Sequence, residues 1–192
     1  MEQLKTDDDL KKFIAEYPER TSIDLDHTEI TNAGLVHLKG LTELLYLNLN
    51  DTKITDAGLV HLKRMTQLRW LSLRRTKITN EGLVHLKEVT QLERLLLERT
   101  QITDAGLKHL RELTQIEMLW LKNTKITDRG LIHLSFLKKL KRLFLVNNNI
   151  TDSGMSYLEG LELDYLYLEG TNITEEYIDL YRKIHPNCNL RF

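Results

Sequence analysis

The sequence predicts an α/β solenoid, a stack of short parallel strands backed by short helices, and three observations predict it. First, a tetrapeptide recurs at a fixed interval: TEIT, TKIT, TKIT, TQIT, TKIT and NNIT begin at Thr28, Thr52, Thr76, Thr100, Thr124 and Asn148, each 24 residues after the last, and TNIT follows at Thr171 after 23. Second, leucine makes up 39 of the 192 residues and keeps the same interval. Third, within each unit an LxL step of period two is followed by apolar residues three apart, the marks of a half-buried strand and then a one-faced helix.

At the start, Leu10, Phe13, Ile14 and Tyr17 fall at i, i+3, i+4 and i+7 behind three aspartates, and Pro18 stops the pattern. Residues 1–21 are therefore expected to form a helical cap. Residues 22–173 hold about seven units of the form LxxLxLxxTxITxxGLxxLxxL, clearest in Leu44 to Met65. In that unit Leu47 and Leu49 point inward from the strand. Thr55 then supplies a helix N-cap, Asp56 complements the helix dipole in the first turn, and Leu59, Leu62 and Met65 line one helical face. The glycines Gly34, Gly58, Gly82, Gly106, Gly130 and Gly154 fall on the buried side of that first turn, where the lack of a side chain lets neighbouring coils approach. Residues 174–192 close the array. Tyr177, Ile178, Tyr181 and Ile184 make a last helix ended by Pro186, and a strand from Asn189 to Phe192 follows, since Leu190 and Phe192 repeat Leu166 and Leu168. That strand leaves a sheet edge uncovered.

A unit of this size cannot bury its apolar face alone, so strands must stack on strands and helices on helices. Strands sit ~4.8 Å apart, whereas helices pack at ~8–10 Å. The array must bend with the sheet on its concave side and the helices on its convex side.

The repeated LxxLxL followed by ITDxGL resembles the leucine-rich repeat, in a bacterial-looking variety, over roughly residues 22–192. The resemblance implies a right-handed horseshoe that binds proteins on its concave sheet. The family's asparagine after the strand is threonine here except at Asn148. The resemblance implies that Thr28, Thr52, Thr76, Thr100 and Thr124 take over its structural task of joining turn backbone from coil to coil through their hydroxyls.

Function should then lie in the outward strand positions, which form two columns. One reads Ser22, Tyr46, Trp70, Arg94, Met118, Arg142, Tyr165, Asn189, and the other Asp24, Asn48, Ser72, Leu96, Trp120, Phe144, Tyr167, Arg191. Six of the chain's 13 aromatic residues, both tryptophans included, occupy these 16 positions. Trp120, Phe144 and Tyr167 are consecutive in one column. With Leu96, Met118 and Tyr165 they are expected to build an apolar ridge facing solvent, bordered by Arg74, Arg75, Arg94, Arg99, Lys122 and Arg142. Aromatic residues edged by arginine are what interface hot spots are made of. Valine, isoleucine and threonine, which strand propensity favours as much, are absent from both columns. A protein or peptide partner on the concave face is the expected function. The alternatives are a structural or self-assembling scaffold, using the ridge or the last sheet edge, and the substrate-recognition part of a ubiquitin-ligase adaptor or bacterial effector. The last is implied by the ITDxGL resemblance alone, and no F-box-like segment stands before Ser22.

Other chemistry is weakly signalled. His37, His61, His85, His109 and His133 keep the period, but helix separation exceeds what two ligands ~2.1 Å from zinc can span, so packing between coils is expected and no metal or other cofactor. His185 and Cys188 lack a group to orient them as a thiol nucleophile, and neither a phosphate loop nor a paired-carboxylate helix appears, so no catalytic residue and no enzyme is expected. A formal charge of −1, from 27 basic and 28 acidic residues, gives no bulk attraction to polyanions. Asp24, Asp26 and Asp51 would repel a long phosphate backbone. No apolar run approaches the ~18 residues of a membrane span. Neither nucleic acid nor membrane is expected as a partner. One cysteine, and an opening MEQLKTDDDL without the basic and apolar segments of a secretion signal, point to a reducing, cytoplasmic setting.

Overall fold

The structure is a computed structural model and describes residues 4–192. Among the described residues eight strands form one parallel sheet in chain order. They are β1 (Ser22–Asp24), β2 (Tyr46–Asn48), β3 (Trp70–Ser72), β4 (Arg94–Leu96), β5 (Met118–Trp120), β6 (Arg142–Phe144), β7 (Tyr165–Tyr167) and β8 (Asn189–Arg191). Each pairing advances by one repeat, so that Tyr46 lies beside Trp70, and Trp120 beside Phe144. Between strands runs a single helical turn: α2 (Asn32–Leu35), α3 (Asp56–Leu59), α4 (Asn80–Leu83), α5 (Asp104–Leu107), α6 (Asp128–Leu131) and α7 (Asp152–Met155). Ten-residue helices stand at the two ends, α1 (Asp7–Glu16) and α8 (Glu175–Ile184). The result is an open solenoid with its sheet on the concave side.

The helices are shorter than the leucine spacing suggested. α3 ends at Leu59, and the chain continues through tighter i→i−3 bonds, Leu62 N–H to the Leu59 carbonyl (3.0 Å) and Met65 N–H to that of Leu62 (2.9 Å). This geometry suits short stretches and still delivers Leu62 and Met65 to the core, where both are buried with Leu47, Leu49 and Leu59. One continuous core of such leucines runs from Leu10 to Tyr181.

What ties one coil to the next on the helical side is a ladder of side chains. Asp56 accepts the Thr79 N–H (2.8 Å) on one carboxylate oxygen and the Thr79 hydroxyl (2.6 Å) on the other. The same two contacts recur from Asp104 to Thr127, Asp128 to Thr151 and Asp152 to Thr174. Where asparagine replaces aspartate the hydroxyl reverses its role: Asn32 and Asn80 accept the Thr55 and Thr103 N–H groups (2.9 Å each), and their amide nitrogens donate to the threonine oxygens. Asp56 is therefore a coil-to-coil acceptor, more than the dipole partner that its place in the first turn suggested. The glycines make room for this ladder. A Cβ on Gly58 would sit 2.6 Å from the Asn32 oxygen, and one on Gly82 would collide with the Asp56 carboxylate.

The threonines after the strands act differently from the expectation. The hydroxyls of Thr28, Thr52, Thr76, Thr100 and Thr124 each donate to the carbonyl of the leucine three residues earlier, at 2.6–2.8 Å, and so close the turn of their own coil. A hydroxyl on a short stem reaches its own turn, and only Thr124 also meets the next coil, because the longer Asn148 side chain comes to it. Asn148, with a longer side chain, does cross: its amide donates to the Leu121 carbonyl (2.7 Å) and its oxygen accepts from Thr124 (2.8 Å).

The end helices extend the same scheme. In α1 the three aspartates form the first turn and do not precede the helix. Asp9 closes a capping box with Thr6, and Asp7 accepts from Thr31 as the first rung of the ladder. Of the expected lid residues only Leu10 is fully buried, while Phe13, Ile14 and Tyr17 are half-buried and Arg20 stacks on Tyr17 at 4.8 Å. At the far end Ile178 and Tyr181 are buried, but Ile184, expected on the same face, is 60% exposed. Leu180, Ile184 and Phe192 are bare where a further coil would stack.

Two glycine substitutions measure the ladder. Gly82→Ala drives a methyl into the Asp56 carboxylate and is expected to lower the unfolding free energy by about 2 kcal/mol. Gly40→Ala, with open space around the added carbon, is expected to change it by less than ~1 kcal/mol, toward stability. Urea denaturation of the two variants checks the ordering, and equal losses would contradict it.

Candidate functional site

The concave face is made by the residues that flank each inward strand leucine, and one-repeat register turns sequence spacing into columns at strand spacing. Side chains in a column meet. The Tyr46 and Trp70 rings stack with centroids 4.0 Å apart and planes 14° apart. In the second column Trp120 lies 4.3 Å from Phe144, and Phe144 stacks on Tyr167 at 4.3 Å and 15°. All five rings are half-buried. They face away from the leucine core and shield one another.

The expected ridge is shorter at one end. Leu96, its first member in the second column, is only 7% exposed. In register it lies between Ser72 and Trp120, and the Arg74 side chain spans that coil to bring its guanidinium 5.9 Å from the Trp120 ring. Met118 and Tyr165 stay half-buried in the first column as expected, and Arg142 lies 5.1 Å over the Tyr165 ring.

The bordering cations differ in what they already hold. Arg74 pairs with Glu98 (2.6 Å), and Arg75 with Asp51 (3.5 Å). Arg94 and Arg99 are exposed and make no ion pair among the described residues, nor does the half-buried Lys122. Arg75 and Arg99 occupy a left-handed turn position (φ 53° and 55°) that recurs at His27, Asp51, Asn123, Asn147 and Gly170. Such a backbone costs a non-glycine residue roughly 1 kcal/mol and holds the side chain clear of the strand exit. The Asp, Asn and Gly at the other members of this position are the usual composition of left-handed turns.

Glu98 sits at the centre of the site with its side chain 8% exposed. Burial pushes its carboxyl above the usual 4.5 and outweighs the attraction of Arg74, Lys122, Arg99 and Arg75. On the opposite face the histidines are half-buried between coils, as expected, and the side chain of Arg111 donates to Nδ1 of His133 (3.1 Å from Nε). Cys188 is half-buried and burial raises its thiol pKa, the reverse of an activated nucleophile. Among the described residues the one trio of His, Cys or carboxylate groups close enough to share an ion is Asp26, His27 and Asp51, whose ligand atoms lie within 4.8 Å. The turns of adjacent coils bring them together, which spacing alone did not show. With Arg75 on Asp51 they form an exposed ion-pair chain.

Residues 19–78 and 136–158 each match a family profile described as leucine rich repeat. The crystal structure of an internalin (inlF) from Listeria monocytogenes superposes with a TM-score of 0.75 at 28% identity, over 88% of this chain and 46% of that one. The chain is built of leucine-rich repeats. An internalin C2 of the same species (TM-score 0.67, 24% identity, 97% of this chain and 82% of that one) shares the fold. So does a leucine-rich repeat protein of Leptospira interrogans (0.66, 21%, 96% and 50%). No curated protein matches the sequence significantly. This repeat chain spans about half the length of the first and third of these structures. Its fold is that of a protein-interaction repeat module, and among the described residues no helix is long and apolar enough to cross a membrane.

Glu98→Gln is expected to melt higher than the wild type above pH 4.5. The raised folded pKa means that wild-type stability falls as pH climbs through it, while below 4.5 both carboxyl states are neutral and the two melting curves run parallel. A thermal melt series from pH 3 to 8 reads this, and a variant that melts lower at neutral pH would show that the Arg74 pair dominates.

Proposed function

We propose that this leucine-rich repeat chain is a non-enzymatic binding module whose partner, a protein or peptide, lies along the concave sheet with its contact centred on Trp120 and Phe144. The stack of Trp120, Phe144 and Tyr167 carries the reading. Three rings on the open side of a sheet, edged by the unpaired Arg94 and Arg99, offer large rigid apolar area at low side-chain entropy cost, the composition of an interface core. Tyr46 and Trp70 offer a second, smaller anchor two coils away. The surface runs from acidic (Asp24, Asp26, Asp51) to basic (Arg94, Arg99, Lys122), so it fits a segment of opposite charge order rather than a uniform polyanion.

A second reading has an observation of its own. The outer edge of β8 is unpaired, and Leu180, Ile184 and Phe192 beside it are 50%, 60% and 45% exposed, which favours self-association at that end. Sedimentation across a hundred-fold concentration range distinguishes the two: Phe192→Lys abolishes a dimer formed at this end and leaves concave-face binding intact.

Trp120→Ala/Phe144→Ala is expected to weaken partner capture by more than ~3 kcal/mol, while lowering the unfolding free energy by only ~1–2 kcal/mol, the worth of the lost ring contacts. Parallel capture and urea titrations check both numbers. Undiminished capture would remove the concave face from consideration.

A further inference from the structure

The convex side carries a site that the concave reading does not use. Between the first and second coils lies a cavity of about 280 Å³ lined by Lys39, Val60, His61, Lys63 and Arg64. Lys39 comes from the 3-10 turn Val36–Gly40, and the others from the turn that follows α3. Four of the five lining residues can carry positive charge and none is a carboxylate. Among the described residues Lys39, Lys63 and Arg64 make no ion pair and no side-chain hydrogen bond. Unpaired cations that line one concave space repel one another, and an anion seated among them removes that repulsion.

The repeat supplies its own comparison. Four successive coils present the same histidine and a basic residue two positions on, as His37 and Lys39, His61 and Lys63, His85 and Lys87, His109 and Arg111. The position that follows varies along the array: Gly40, Arg64, Glu88, Glu112, Phe136 and Gly160. Only at Arg64 is it basic, so the framework is shared and the added cation is local. In the next coil Glu88 takes the place of Arg64 and would neutralise the corresponding surface.

We infer that the cavity between Lys39 and Arg64 binds a phosphoryl group of a small ligand. The guanidinium of Arg64 provides a planar pair of donors and the two lysines provide mobile point charges, a combination suited to a tetrahedral dianion. The volume lies near the low end, about 300 Å³, of small-molecule sites, which fits a headgroup and not a polymer. His61 completes the lining as a neutral donor: burial first, and Lys39 second, hold its pKa below the usual 6.5.

Inorganic pyrophosphate titrated into the full chain at low salt, followed by amide NMR shifts and by calorimetry, tests this. Binding is expected with shifts centred on residues 39 and 60–64. Arg64→Glu, which copies the next coil, should weaken it roughly ten-fold or more, whereas Lys87→Ala one coil away should leave it unchanged. Melting curves of the variants confirm that these surface changes leave the fold intact. A parallel arm compares vesicles bearing phosphatidylinositol bisphosphate with vesicles bearing phosphatidylserine. Retention on the former alone that Arg64→Glu abolishes assigns the phosphoryl group to a lipid headgroup, and pyrophosphate binding without vesicle retention assigns it to a soluble ligand. Absence of both, or equal weakening by Lys87→Ala and Arg64→Glu, overturns the inference.

Discussion

The structure depends on a carboxylate or amide oxygen reaching one coil forward to a threonine. Each coil leaves the N–H of the threonine before its helical turn without a partner in its own backbone ladder. The Asp or Asn of the preceding coil satisfies that N–H and the hydroxyl beside it. From Asn32 onward, glycine two residues after each such Asp or Asn is the steric condition, because a side chain there would occupy the space of the previous coil's acceptor. Seven such links run from Asp7 to Thr174, so the end helices and the middle coils obey one rule. A leucine core is tolerant of sliding, while a hydrogen bond of 2.8–2.9 Å with two points of attachment is not. Hydrophobic burial supplies the bulk of the stability, and the ladder fixes register.

Register is what makes the two faces chemically legible. Because every strand is displaced by one repeat and no more, residues 24 apart become neighbours at strand spacing, and a column of aromatics becomes a stack of rings. Trp120, Phe144 and Tyr167 meet for this reason alone. The helical side obeys the same translation, so histidines and lysines line up there, and a single departure such as Arg64 stands out against the non-basic residues at the same place in the other coils. A solenoid thus offers two independent surfaces, one read through what is shared between coils and the other through where one coil differs.

Much of this was legible because the repeat multiplies weak local signals. LxL, the TxIT step and the glycine each mean little once and a good deal when repeated in register, and they placed the strands, the order of the sheet and the outward columns. What was missed has physical causes. Asp56 in a first helical turn invited a dipole reading, yet Asn32 and Asn80 at the same place carry no charge, and only an acceptor role suits both residue types. Thr52 and its equivalents were assigned the reach of an asparagine, which a hydroxyl one bond from Cβ does not have. Leu96 looked exposed by alternation. It is nearly buried, on a sheet where the Arg74 guanidinium comes within 5.9 Å of the Trp120 ring, an approach between residues 46 apart in sequence that no spacing rule contains. The Arg64 cavity was invisible for a similar reason, since its lining comes from two coils and depends on which lysines lack partners.

The central claim is that side-chain links between coils, and not core packing alone, hold the array in register. Hydrogen exchange at the amides of Thr55, Thr79, Thr103, Thr127 and Thr151 tests it most directly. The account predicts protection comparable to that of the strand amides of Leu71, Leu95 and Leu119, and a selective loss at Thr127 in the Asp104→Ala variant. Threonine amides that exchange at the rate of open surface turns in the unaltered protein would contradict it.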